Sequence, residues 1–340
     1  MTDMRTVLAG VEFPNPLFTA SGCAAAGAEL DQFFDVSSLG GVVTKSIMSA
    51  ARSGRATPRM AETPSGMLNS IGLQGPGIEA FLAHDLPWLA SRGARAVVSI
   101  AGGSVEEYAR LAGMLRGRPG VAMIEVNISC PNVEDRGQVF ACDPRASYEV
   151  VQAVRRATAT GIPVFAKLSP DVTDITTIAR SCVDAGADGL SLINTLLGLA
   201  IDTTTMRPVL GGVTGGLSGP AVRPVAVRCV WQVHQALPDV PLLGMGGIRT
   251  GLDALEFVLA GASAVSVGTT TFGDPSAPVR VLRELAAALA ERGVERFSDA
   301  VGRAHRPPDV AAAAAAPADL GPDLAGWVPE GPDPVGDLRR

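Results

Sequence analysis

Eight short apolar runs rich in β-forming residues alternate with longer stretches of helical periodicity along the chain, and this alternation limits the fold more than any other feature. The runs are Leu17 to Gly22, Gly41 to Ser46, Ala96 to Ile100, Met123 to Ser129, Val164 to Ser169, Gly189 to Asn194, Leu242 to Gly247 and Ala264 to Thr269. They are nearly continuous in apolar residues, as strands covered on both faces are. Helical periodicity marks Gly77 to Ser91, Val105 to Leu115, Ser147 to Thr160, Thr173 to Ala185, Pro220 to Ala236, Leu252 to Ala260 and Ala277 to Arg292. The pattern predicts an α/β protein, a closed (β/α)8 TIM barrel over residues 1–305, with an open doubly wound sheet as the competing arrangement. Residues 47–76 and 195–219 follow the second and sixth strands as long connections, expected as insertions at the C-terminal face, where barrel active sites are built. Residues 306–340 carry seven prolines and the alanine run Ala311 to Ala316, a composition that builds no core, so a loosely docked tail is expected there.

Charge and cysteine usage narrow the function. The 28 basic residues are outweighed by 34 acidic ones and form no basic block, which argues against a nucleic-acid partner. The sequence has no apolar run of the ~18–20 residues a spanning helix needs and no signal-peptide pattern, so a cytoplasmic protein is expected. Cys23, Cys130, Cys142, Cys182 and Cys229 show no CxxC spacing, which suits a reducing compartment and no zinc site. Cys23, Cys182 and Cys229 read as buried inert thiols, Cys142 stays open, and His84, His234 and His305 read as structural or surface residues.

Two scarce residue types then locate a site. Only Lys45 and Lys167 among the basic residues are lysine, and the asparagines are Asn15, Asn69, Asn127, Asn132 and Asn194. Lys45, Asn127, Lys167 and Asn194 fall at the ends of predicted strands two, four, five and six, and Asn69 and Asn132 in the loops just beyond, so six of these seven converge on one rim. At the ends of strands seven and eight, Gly244-Met245-Gly246-Gly247-Ile248 and Val267-Gly268-Thr269-Thr270 offer backbone N–H groups, each leading into a helix N-terminus, where a barrel holds phosphate. FMN or a phosphorylated sugar fits that description. Cys130, in Asn127-Ile128-Ser129-Cys130-Pro131-Asn132, follows a strand directly and is the one thiol placed to act as base or nucleophile.

With Ala20-Ser21-Gly22, Thr44-Lys45-Ser46, Asn69-Ser70-Ile71-Gly72-Leu73, Asn127 to Asn132, Lys167, Asn194-Thr195 and Thr214 to Pro220, these segments resemble class 1 dihydroorotate dehydrogenases, nearer subclass 1B, over roughly residues 5 to 300. The resemblance implies FMN held by Ala20, Ser21, Lys45, Ser46, Ser99, Asn127, Lys167, Ile193, Gly219, Gly246, Gly247, Gly268 and Thr269. It implies orotate or dihydroorotate held by Lys45, Asn69, Gly72, Leu73, Asn127, Asn132, Asn194 and Thr195. Cys130 would take the C5 proton while hydride leaves C6 for FMN, with Lys167 stabilising negative charge at the flavin N1/C2=O edge. Amide side chains suit a ring with imide groups, because a wrong ring leaves them unpaired. A homodimer and a separate FAD and iron–sulfur electron-transfer subunit are further implications. The alternatives are a paralogous FMN oxidoreductase acting on another dihydropyrimidine or unsaturated ring, and a Schiff-base aldolase using Lys167.

Overall fold

The computed structural model describes residues 2–129 and 140–307. Cys130 and Asn132 lie outside the described residues, as does the expected tail from residue 308 on. Eight parallel strands form one sheet: β1 (Leu17–Thr19), β2 (Val42–Val43), β3 (Ala96–Ile100), β4 (Val121–Asn127), β5 (Val164–Lys167), β6 (Gly189–Leu192), β7 (Leu242–Met245) and β8 (Ala264–Val267). They are hydrogen-bonded in the order β1-β8-β7-β6-β5-β4-β3-β2. A parallel bridge between Phe18 and Gly41 joins the two ends, so the sheet is closed and the open arrangement is excluded. Helices pack outside, among them Val105–Leu115, Pro144–Ala157, Ile175–Asp184, Arg223–Ala236, Gly251–Leu259 and Ala277–Glu291.

Large side chains fill the barrel. Phe18, Val43, Val97, Met123, Phe165 and Leu243 meet inside it, all fully buried, and Leu8 and Phe13 join them from the hairpin Thr6–Leu8 and Val11–Phe13. The rings fit because glycine faces them: a Cβ on Gly189 would lie 2.3 Å from the Phe165 ring. Gly189→Val is therefore expected to lower unfolding free energy by about 3 kcal/mol, the upper range for overpacking, as read from urea denaturation. A variant as stable as the parent would contradict this packing.

Two expectations need correction. The strands end earlier than their apolar runs, at Val43 and Leu192, so Lys45 and Asn194 sit two residues beyond the ladder. Single bonds still guide the departing chain, with Lys45 N–H donating to Ala25 (2.8 Å) and Asn194 N–H to Leu168 (2.9 Å). The two long connections are also not merely loops. Met60–Thr63, Gly66–Asn69, Gly215–Ser218 and Leu196–Gly198 pair into one antiparallel sheet at the barrel mouth. The predicted helix from Gly77 contains a wider π turn at Phe81–Asp85, one residue short of Pro87, which lacks the N–H an α-turn would use there.

Candidate active site

The register of β4 and β5 builds the centre of the site. Asn127 and Lys167 end their strands as direct neighbours, so an amide and an ammonium stand side by side on the rim. Both are buried, at 6% and 4% exposure, which makes their placement a matter of packing. The Tyr108 hydroxyl, reaching from helix Val105–Leu115, donates to the Asn127 carbonyl (2.7 Å) and fixes the end of β4.

A polar chain runs from there across the rim. Asn127 Nδ2 donates to Ser46 Oγ (2.9 Å), whose hydroxyl also lies 3.0 Å from that of Ser99 and 3.4 Å from that of Ser21. Ser129 donates to Asn127 Oδ1 (3.0 Å) and accepts from Asn194 Nδ2. Asn194 Oδ1 in turn accepts from the Thr195 N–H (2.9 Å). Such a network holds each amide in one orientation, which is what recognition of an imide edge requires. Asn69 enters from above, where Gly216 is its partner in the mouth sheet and accepts from Asn69 Nδ2 (3.3 Å).

Apart from Tyr108 and Ser99, these groups border one cavity of about 950 Å³, at the upper end of ligand-site sizes. Its wall includes Ala20, Ser21, Lys45, Ser46, Asn127, Lys167 and Ile193 at the rim, Asn69, Gly72, Leu73, Asn194 and Thr195 above, and Gly219, Gly246, Gly247, Gly268 and Thr269 at one end. The sequence-predicted residues within the described chain thus meet in one place, with one displaced: Ser99 stands behind Ser46 and is not part of the wall.

The glycine end differs from expectation in one respect. Helix Gly251–Leu259 is closed by its own capping box, with Asp253 accepting from the N–H groups of Arg249 (2.9 Å) and Thr250 (3.0 Å). Glu284 accepts from Gly251 N–H (2.7 Å). An anion is therefore offered the turn backbone at Gly246 and Gly247, not the helix end. Gly247 holds φ +77°, and a Cβ there would lie 2.6 Å from the Gly219 carbonyl. Only glycine allows this turn to approach the mouth sheet so closely.

Sequence reasoning missed several wall residues. Ser129 lies inside the motif that carries Cys130, and Arg55, Asp171 and Arg249 sit in the connections. Cys23, expected as a core thiol, lines the cavity, yet desolvation pushes its pKa up to about 11 against the pull of Lys167 and Lys45, so it stays protonated. Cys182 and Cys229 are buried as expected. Cys142 also borders the cavity, its thiol raised by desolvation and by the Asp171 carboxylate. His234 and His305 pack together beside Trp231, the structural role expected of them. Among the described residues no His/Cys/Asp/Glu group could hold a metal ion, and no helix is long and apolar enough to cross a membrane.

Comparison with known proteins agrees with this geometry. The family model described as dihydroorotate dehydrogenase matches residues 3–289. Curated relatives named dihydroorotate dehydrogenase B (NAD(+)), catalytic subunit, include those of Geobacter sp. strain M21, 51% identical over 88% of this chain and 97% of the relative, and Pelobacter propionicus, 53% identical over 88% and 98%. That of Desulforudis audaxviator is 52% identical over 88% of this chain and 96% of its own. A match that takes in every barrel strand and the rim residues they carry leaves one assignment: the chain belongs to the dihydroorotate dehydrogenase family.

Proposed function

We infer that this protein oxidises dihydroorotate to orotate in pyrimidine biosynthesis, using FMN. The observation that carries the reading is the meeting of Lys45, Lys167, Asn69, Asn127 and Asn194 around one cavity whose far end is a glycine turn. The residues present fit FMN: the cavity is large enough, the Gly246-Gly247 turn leaves backbone for a phosphate, and the Ser70 and Ser266 hydroxyls on its wall have no partner among the described residues. Family membership sets the aldolase reading aside.

FMN, when bound, supplies the two-electron acceptor for the hydride. The chain does the rest. Gly219, Gly246, Gly247, Gly268 and Thr269 would hold the phosphate end, with Ala20, Ser21, Ser46 and Ile193 against the ring system. Lys167, at the cavity floor, would offer its ammonium to the ring system and favour negative charge there. Lys45 and the backbone of Gly72 and Leu73 would take the substrate carboxylate, while Asn69, Asn127, Asn194 and Thr195, with Asn132, would hold the ring amides. Cys130 is the proposed base, removing the C5 proton as the C6 hydrogen leaves with its electron pair. Confinement between the floor and the mouth sheet would keep substrate and cofactor in contact.

The word "subunit" in the relatives' name supports a partner protein. We assign it the electron-transfer role, with FAD and an iron–sulfur centre, beside a homodimer of this chain in the cytoplasm. The exposed apolar side chains Leu197, Leu199, Ile201, Met206 and Val213, at and beyond the mouth sheet, support an interface there.

The purified protein is expected to be yellow, and dihydroorotate added without oxygen should bleach its visible absorption within the mixing time of a manual experiment. Absence of any flavin, even after incubation with FMN, would overturn the reading. A flavin that dihydroorotate leaves unbleached would favour the paralogue with another ring substrate.

A further inference from the structure

Among the described residues only two charged side chains are buried, and they face each other. Glu125 is 0% exposed and Lys167 4%, with Lys167 Nζ 3.8 Å from Glu125 Oε1. Glu125 lies on β4 two residues before Asn127, and thus one layer beneath the Asn127 and Lys167 pair. Phe165 stands beside it on β5, and beneath both are the apolar residues that fill the barrel, Met123 among them. Neither oxygen of its carboxylate accepts a hydrogen bond from any described residue.

A charge in such a place survives only beside an opposite charge, and Lys167 is the one at hand. The separation is informative. A charge-assisted hydrogen bond would bring the two to about 2.7–2.9 Å, so at 3.8 Å the ammonium is attracted to the carboxylate without being locked onto it. The ammonium therefore stands between an anion beneath it and the cavity above, and the cavity receives the difference of the two fields.

Resting on the flavin reading above, we propose that Glu125 is the positioning residue for Lys167: it anchors the ammonium at the floor and moderates the positive potential that the lysine presents to FMN. The chemistry gives this a purpose. An unopposed buried cation would stabilise the reduced cofactor strongly and hinder the onward passage of its electrons, whereas a countered one favours reduction without trapping it.

Sulfite tests this without substrate turnover, because its addition to the oxidised flavin ring leaves a negative charge there. Glu125→Gln keeps the shape and removes the charge, so the sulfite dissociation constant of the FMN-loaded protein, read from loss of the visible band, should fall roughly tenfold. Glu125→Asp should return it toward the parent value. Unchanged or weakened sulfite binding in Glu125→Gln would overturn the proposal.

Should Glu125→Gln fail to fold, flavin-free protein decides. Lys167→Met leaves the carboxylate alone in the wall, and the double variant Glu125→Gln/Lys167→Met relieves it. The double variant is therefore expected to withstand more urea than Lys167→Met, and equal or lower resistance would overturn the proposal. A protein that takes up no FMN would refute the flavin reading, and the urea comparison would still judge the pair.

Discussion

Replacing Cys130 with alanine should leave a yellow protein whose flavin is reduced by dihydroorotate roughly 10²- to 10⁴-fold more slowly, the range that a positioned general base contributes. Cofactor retention follows from the described floor and cradle, none of which is altered. The slowing rests on the surroundings of the preceding residues. Ser129 is buried and tied to both Asn127 and Asn194, so the chain reaches position 130 from a fixed point on the cavity wall. The described thiols are all less ready to lose a proton than a free cysteine: Cys23 is pushed up to about 11 and Cys182 to about 12 by desolvation, and Cys142 and Cys229 are raised as well.

A pH profile distinguishes the proposed base from the described thiols. A thiol base works when deprotonated, so reduction by dihydroorotate should be lost as pH falls below an ordinary cysteine pKa of ~8.5 and rise as pH climbs through it. In Cys130→Ala that rise should disappear. Stopped-flow reduction without oxygen gives both quantities. A variant with the parent's rate would remove Cys130 from the mechanism, and a slowed variant that kept the rise would point to Cys142, a described cavity thiol whose raised pKa comes partly from a carboxylate.

The barrel could be read from sequence because its strands are buried on both faces, and a continuous apolar run as short as Val164-Phe165-Ala166 suits a doubly covered strand better than a helix. The rim could be read because lysine and asparagine are scarce in this chain, so their positions at strand ends stood out. The mouth sheet escaped notice because its strands span three or four residues and one of them opens with Gly215 and Gly216, which carry no strand signal. The self-capped helix after β7 was overlooked although Thr250 and Asp253 stand at capping-box spacing, since the neighbouring glycines suggest that those N–H groups serve an anion. Glu125 had a visible signal, one acid inside Met123-Ile124-Glu125-Val126, but its meaning depends on Lys167, forty-two residues later and adjacent only through strand pairing.

Gly247→Val isolates what the glycine turn contributes. Valine resists a φ of +77°, and its Cβ would collide with the Gly219 carbonyl at 2.6 Å and with Arg223 Cβ at 2.9 Å. Both obstacles belong to the mouth: Gly219 closes the strand Gly215–Ser218, and Arg223 pairs with Asp253 and Glu256 at the next helix. The turn must therefore withdraw, taking with it the backbone proposed to hold the phosphate. β7 beneath it, Leu242–Met245, is buried and paired on both sides, so the barrel should persist. Strain of this kind costs about 1–3 kcal/mol by itself, and with the cradle displaced the FMN dissociation constant should rise roughly hundredfold or more. Titration of flavin-free protein, followed by quenching of FMN fluorescence, measures it. Gly293→Val supplies the comparison: φ is +67° there, a Cβ would meet nothing within 4 Å, and the residue is not part of the cavity wall. It should lower thermal stability and leave FMN affinity intact. If both variants lost affinity equally, the loss would report general strain, and the turn would not be the phosphate site.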